Sequence, residues 1–132
     1  MPGPARAGAL IYAKDLDRLS AFYQGLLGMR LLLADAWHQV IESDDLQLII
    51  HAIPPQIAAG ITLTSPPEVR EEQAIKLFFT LPAGAQLPAV EVQVHALGGG
   101  MFGPVYPGPG FQARNAYDCE GNVFHLRVPT TP

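Results

Sequence analysis

The sequence predicts the same order of elements, β-α-β-β-β, twice in succession, and an internal duplication of this kind restricts the architecture more than any single motif does. Apolar alternation predicts the strands, and a helical period predicts one helix in each copy. The first copy comprises Ala7–Ala13, the helix Leu16–Leu27, Met29–Ala34, Trp37–Glu42 and Leu46–Ile53. The second comprises Ala74–Leu81, the helix Gln86–Leu97, Met101–Tyr106, Phe111–Tyr117 and Asn122–Val128. Since each copy has one helix to cover one face of its sheet, the other face stays free to line a cleft.

The first helix carries clear signals at both ends. Asp15 is placed to accept a hydrogen bond from an unpaired backbone N–H at the helix N-terminus. Gly28 is placed for a left-handed C-terminal cap. One apolar face follows at the spacing i, i+3, i+4 and i+7, formed by Leu19, Phe22, Tyr23 and Leu26.

The length of 132 residues suits one domain, spanning residues 1–132. Within it we predict module one at about 7–53, a linker at 54–73 and module two at about 74–128. The linker contains the proline pairs Pro54–Pro55 and Pro66–Pro67. It is therefore expected to form either a short helical turn or a mobile loop.

Composition excludes several classes of function. The net charge is −4 and charged residues make up 15% of the chain, so there is no polybasic surface of the kind that binds nucleic acid. Cys119 is the single cysteine and cannot form an internal disulfide, which favours a reducing cytoplasm. No apolar run approaches the roughly 18–20 residues of a membrane span. We therefore expect a cytoplasmic protein with no nucleic-acid partner and no membrane partner.

Two stretches resemble the motifs of one superfamily. The first runs from Ala13 to Met29 and contains aspartate-leucine, then a phenylalanine-tyrosine pair, then leucine-glycine. The second is Tyr117–Leu126, in which Cys119 and Glu120 depart from the common turn Asp-Pro-Asp-Gly-Asn. Over about residues 7–128 the chain is similar to the vicinal-oxygen-chelate (glyoxalase/bleomycin-resistance/dioxygenase) superfamily. The resemblance implies an α+β fold in which two βαβββ modules form a curved mixed sheet with a cleft.

Enzymes of this superfamily hold a divalent metal through side chains on the first and last strands of the two modules. The resemblance places these positions on Gly8, on Gln47 or Ile49, on Lys76 or Ile75, and on His125. Glycine offers no donor atom, a lysine ammonium repels a divalent cation, and tight sites need about three protein ligands. We therefore predict no tightly bound catalytic metal and no cofactor.

Strand alternation assigns side chains to the free faces of the sheets. In the final strand, Phe124, Leu126 and Val128 are expected to pack on the helix, so His125 and Arg127 face the cleft. The same argument in the other strands gives a mixture of aromatic and polar side chains, which is typical of a small-molecule site and favours an acidic or oxygen-rich ligand. The predicted ligand-binding residues are Tyr12, Gln47, His51, Lys76, Phe78, Thr80, His125 and Arg127.

A purely structural role stays open for several residues. His51 lies near a strand end where it can simply be solvated, and Lys76 can extend its ammonium group into water. His38 and His95 are expected at the surface or at an interface. Cys119 lies between two acidic residues, which disfavours a thiolate and therefore a nucleophilic role.

Three functions remain open at this point. The first is a metal-free module that binds a small organic molecule, acidic or aromatic, without turnover. The second is a metal-independent isomerase or lyase in which His125 acts as general acid or base. The third is a degenerate glyoxalase- or dioxygenase-like metalloenzyme, with His51, His125 and Gln47 around a loosely held ion. We also expect a homodimer, because edge strands and the apolar loop Ile57–Leu63 are available for pairing.

Overall fold

The first half of the chain folds into a four-stranded mixed sheet covered by one helix. The computed structural model describes residues 5–130, and its contacts divide the chain into two units between Thr62 and Leu63. The first unit contains β1 (Gly8–Ala13), α1 (Leu16–Leu27), β2 (Arg30–Ala34), β3 (His38–Glu42), β4 (Gln47–Ala52) and the short α2 (Pro55–Ala58). Its strand order is β1-β4-β3-β2, with β1 parallel to β4 and the other neighbours antiparallel.

The second unit repeats this topology. It contains β5 (Leu77–Thr80), α3 (Leu87–Ala96), β6 (Gly100–Gly108), β7 (Phe111–Tyr117) and β8 (Val123–Pro129). The strand order is β5-β8-β7-β6, again with the first and last strands parallel and the others antiparallel. The predicted α+β class, with two βαβββ modules, is therefore confirmed. Among residues 5–130 there is no helix that could serve as a membrane span.

Helix α1 has the end structures that its sequence predicts. The Asp15 carboxylate accepts a hydrogen bond from the Arg18 backbone N–H at 3.2 Å, and Gly28 follows the helix in the left-handed region at φ 64°. The helix packs on β3 and β4. This contact buries the apolar face of the helix and the sheet residues beneath it, namely Leu19, Phe22, Tyr23, Leu26, Ile41, Leu48 and Ile50.

Helix α3 packs on β6 and buries Val90 and Val94. Its β-branched residues favour a helix only weakly, so this packing supplies the stability that local preference lacks. On the same side of the second sheet, Phe79 and Phe124 form an edge-to-face pair with ring centroids 5.6 Å apart. Leu126 is fully buried there.

Strand β5 begins at Leu77 and is shorter than the predicted Ala74–Leu81. The Gln73 side chain explains the difference, because it binds the β8 backbone that a longer β5 would pair with. Its Oε1 accepts from the Val123 N–H at 3.1 Å, and its amide nitrogen donates to the Val123 carbonyl. The Gln73 side chain thus takes the place of the first backbone hydrogen bonds in the β5–β8 pairing.

Strand β6 is longer than predicted and reaches Gly108. The register of its pairing with β7 shifts between Phe102 and Tyr106, and pairing resumes with Tyr106 opposite Ala113. This bulge accommodates Gly103, at φ 75°, within the strand.

The segment 54–73 begins with the helical turn α2. Near its other end, the Arg70 N–H donates to the Gly121 carbonyl at 2.8 Å, which attaches the segment to the turn between β7 and β8. The Asp118 carboxylate organises that turn, because it accepts from the backbone N–H groups of Glu120 and Asn122.

Replacement of Asp15 by alanine is expected to lower the free energy of unfolding by about 1 kcal/mol, because an N–H at the start of α1 loses its acceptor. Asp15→Asn keeps an oxygen at the same place and should cost much less. Urea denaturation of the three proteins measures the difference. Equal losses in the two variants would contradict a capping role.

Candidate functional site

The face of the first sheet that α1 does not cover carries most of the predicted site residues of this unit. Leu48 and Ile50 are buried under α1, so Gln47 and His51 point to the opposite, open face. Tyr12 on β1 is the parallel partner of His51 and is 59% exposed. Tyr12, Gln47 and His51 therefore share one face, as the alternation predicts.

Three ring-bearing side chains form a row across this face. His51 lies between Tyr12 and His38, with ring centroids 5.6 Å and 6.2 Å away respectively. The row spans β1, β4 and β3 because Tyr12 pairs with His51 and His51 pairs with His38. The sequence predicts a surface or interface position for His38 and does not predict its contact with His51.

Both histidines of the row have a fixed tautomer. The His38 Nδ1 lies 2.9 Å from an oxygen of Asp35, and the His51 Nδ1 lies 2.8 Å from the Ala52 carbonyl. Since both partners are acceptors, each Nδ1 carries the proton and donates it. Backbone N–H groups of Trp37 and His38 hold the pKa of Asp35 below its usual value, so its carboxylate is charged at neutral pH.

The first family metal position, Gly8, has no room for a side chain. A Cβ on Gly8 would lie 2.5 Å from the carbonyl oxygen of Gln47, its partner on β4. The Gln47 amide nitrogen in turn donates to Glu42 Oε1 at 3.1 Å. The register therefore places Gln47, not Ile49, beside Gly8.

The open face of the second sheet brings together the other predicted residues. Phe78 pairs with His125, and Thr80 pairs with Arg127, across the parallel β5–β8 ladder. On the opposite side of β8, Phe124, Leu126 and Val128 are buried. Phe78, Thr80, His125 and Arg127 therefore share the face away from α3.

The Arg127 guanidinium is held between two aromatic rings. Its central carbon lies 3.7 Å from the Phe78 ring centroid and 4.0 Å from that of Phe111, distances typical of cation–π contacts. Its cross-strand neighbour on β7 is Ala113, whose small side chain leaves space for the group. Nε donates to His125 Nε2 at 3.1 Å, and the terminal nitrogens have no hydrogen-bond partner among residues 5–130. The edge of the guanidinium is thus available to an acceptor.

His125 is a neutral donor in this arrangement. Burial, followed by the positive charges of Arg127 and Lys76, holds its pKa below the usual 6.5. Because its Nε2 accepts from Arg127, the proton resides on Nδ1. The ring stacks on Phe78 with centroids 5.5 Å apart.

Lys76 lies just before β5, and its ammonium donates to Asn115 Oδ1 at 3.1 Å. Asn115 is the β7 partner of His125. Neither Asn115 nor Phe111 was among the predicted site residues. The alternation of β7 could have found both, because they occupy the same face as the predicted residues of β8.

The residues at the family metal positions do not fit a divalent cation. In the first unit, Gly8 has no donor and the Gln47 amide binds Glu42. In the second, His125 is accompanied by Lys76 and Arg127, which repel a cation. Across residues 5–130, no three His, Cys, Asp or Glu side chains form a group that could hold a metal ion.

Several solved structures have the same fold. The fosfomycin resistance protein FosX from Mesorhizobium loti is 18% identical, with a TM-score of 0.64 over 98% of this chain and 95% of that chain. A mutant of FosX from Listeria monocytogenes, complexed with Mn(II) and 1S,2S-dihydroxypropylphosphonic acid, is 16% identical, with a TM-score of 0.67 over 98% and 93%. A glyoxalase/bleomycin resistance protein from Albidiferax ferrireducens T118 is 17% identical, with a TM-score of 0.65 over 94% and 98%.

No protein-family model and no curated protein sequence matches the chain. The structural likeness therefore carries the assignment. The chain has the glyoxalase/bleomycin-resistance fold of the vicinal-oxygen-chelate superfamily, and the resemblance inferred from its motifs is confirmed at the level of the fold.

Gly8→Ala is expected to lower the free energy of unfolding by about 1–3 kcal/mol, because the added Cβ meets a backbone oxygen that cannot move without shifting β4. Gly60→Ala is the control, since the nearest atom to its added Cβ is 3.6 Å away. Chemical denaturation of both variants measures the contrast. A Gly8→Ala protein as stable as the control would show that this position does accept a side chain.

The histidine resonances of the protein are expected to show a titration midpoint for His125 below 6.5. Arg127→Gln removes a nearby positive charge and should raise that midpoint, whereas Arg127→Lys keeps the charge. In the wild type, the lowered pKa of His125 means that the folded chain binds this proton at a lower pH than the unfolded chain does. The free energy of unfolding should therefore decrease as the pH falls below 6.5. An unchanged midpoint in Arg127→Gln would contradict the electrostatic effect.

Proposed function

We propose that this protein binds a small organic acid on the open face of its second sheet, without a catalytic metal. The observation that carries the proposal is Arg127, held between Phe78 and Phe111 with its terminal nitrogens free of protein partners among residues 5–130. A planar guanidinium held in this way is suited to bidentate recognition of a carboxylate, phosphonate or similar oxyanion.

The neighbouring groups reinforce this preference for an anion. Lys76 adds a second positive charge, and His125 adds a neutral Nδ1–H donor. The residues of β5, β7 and β8 on this face include no carboxylate. The local charge is therefore positive although the chain as a whole has a net charge of −4. Such an arrangement concentrates small anions at one place on the protein.

The aromatic residues of the same face favour a ligand with an apolar or ring-bearing body. Phe78 is 51% exposed, and its ring contacts both Arg127 and His125. Phe102 lies opposite Asn115 on β6, so Phe78, His125, Asn115 and Phe102 form one row across four strands. A mixture of aromatic walls and a few polar donors is the usual composition of small-molecule sites.

The relatives of the same fold are consistent with this class of ligand. The Listeria monocytogenes FosX structure contains a small phosphonic acid together with Mn(II). We propose a similar acidic ligand for this chain but no metal, because the residues at its metal positions do not fit a cation. In our proposal, the cationic side chains of the second unit take the place of the metal as the partner of the anion.

An acid–base enzyme that uses His125 is less well supported. Arg127 occupies Nε2 of His125, which leaves no free basic nitrogen on that ring. We therefore propose that the ligand is bound without being converted. We also propose a cytoplasmic homodimer, because Cys119 is the single cysteine of the chain and Leu31, Leu32 and Leu33 on the edge strand β2 are exposed.

Calorimetric titration with matched pairs of small aromatic acids and their amides tests the proposal. The acid of a pair, such as benzoate or phenylphosphonate, should bind, whereas the uncharged amide should not. Arg127→Gln should weaken acid binding by at least about tenfold, because it removes a charge-assisted hydrogen-bond donor. Arg18→Gln, which removes the same charge from an exposed position on α1, should leave binding unchanged.

Two results would overturn the proposal. One is equal binding of acid and amide, and the other is unchanged affinity in Arg127→Gln. The bound compound should also be recovered chemically intact. Recovery of a converted product would show that the protein is an enzyme and not a binding module.

A further inference from the structure

We propose that His38 and His51, on the open face of the first sheet, form a binding site for a divalent transition metal such as Zn²⁺, Ni²⁺ or Cu²⁺. This site uses none of the family metal positions. It is independent of the anion site proposed for the second unit.

The backbone places the two imidazoles side by side. In the β3–β4 ladder, the Ala52 N–H donates to the Trp37 carbonyl at 2.7 Å and the Ser43 N–H donates to the Leu46 carbonyl at 2.9 Å. Hydrogen-bonded pairs alternate with non-hydrogen-bonded pairs in an antiparallel ladder, so His38 and His51 form a non-hydrogen-bonded pair. Side chains approach most closely at such pairs.

Both rings have the tautomer that metal binding requires. Each Nδ1–H is engaged, that of His38 with the Asp35 carboxylate and that of His51 with the Ala52 carbonyl. The lone pair of each Nε2 is therefore free to bind a metal. A carboxylate or carbonyl behind the imidazole is the usual outer partner of a metal-binding histidine, since it fixes the ring and raises its basicity.

The distance between the rings matches a shared ion. With Nε2–metal bonds of about 2.0–2.1 Å, two imidazoles on one metal have ring centroids roughly 5 to 6.4 Å apart. The centroids of His38 and His51 are 6.2 Å apart. This separation lies within that range, so the register of β3 against β4 already sets the two imidazoles at the spacing of a shared ion.

The donor set indicates which metals bind. Neutral imidazole suits Zn²⁺, Ni²⁺ and Cu²⁺, whereas Mg²⁺ and Ca²⁺ require several oxygen ligands. Two protein ligands leave coordination positions for water or a small molecule. The ion is therefore exchangeable, in contrast with a closed site built from three or four side chains.

Titration of untagged, ¹⁵N-labelled protein with Zn²⁺, followed by NMR of the histidine rings, tests the site. The Nε2 resonances of His38 and His51 should shift together and saturate at one equivalent, while those of His95 stay in place. Mg²⁺ added at the same concentration should cause no shift. This readout needs no variant, so it does not depend on whether a substitution folds.

Variants separate this site from the others in the chain, which has four histidines. His38→Gln and His51→Gln should each lower Zn²⁺ affinity by at least tenfold, and Asp35→Asn should lower it by about tenfold because the acceptor behind the His38 ring loses its negative charge. His95→Gln is the matched control and should bind as the wild type does. Loss of binding in His125→Gln with retention in His38→Gln would overturn the proposal in favour of the family position. Absence of saturable binding would overturn it outright.

Discussion

Parallel pairing of the first and last strands in each unit is the constraint on which the open face of each sheet depends. A parallel pair needs a long crossover, and here the crossover contains a helix and two further strands. The pairing therefore joins residues that are far apart in sequence. It sets Tyr12 beside His51 in the first unit and Phe78 beside His125 in the second. The helix covers one face of each sheet, so these pairs remain on the other.

The same ladder determines which groups stand at the positions that the superfamily resemblance assigns to a metal. At Gly8 the β1 backbone lies so close to the Gln47 carbonyl that no side chain fits. In the second unit the pairing gathers cationic and aromatic groups around His125. The fold therefore fixes these positions, whereas the side chains set the local charge at each of them.

Local patterns predicted much of this structure. The capping residues and apolar stripe of α1 located that helix between Leu16 and Leu27, and strand alternation assigned the correct face to the residues of β8. Contacts between distant residues were beyond such patterns. The side chain of Gln73 shortens β5 by binding Val123, and the pairing of His38 with His51 depends on the register of β3 against β4. Periodicity predicts faces, but it does not predict which residues meet across a ladder.

The small side chain of Ala113 affects how the open face of the second sheet can change in evolution. Its methyl group lies opposite Arg127 and is buried, so it would not contact a ligand lying over the guanidinium. A bulkier residue there would tilt or displace the arginine between its aromatic neighbours. Selectivity for the proposed ligand can therefore change through a substitution at Ala113 while every charged group stays the same. Two descendants of this chain with identical cationic residues could then prefer different ligands.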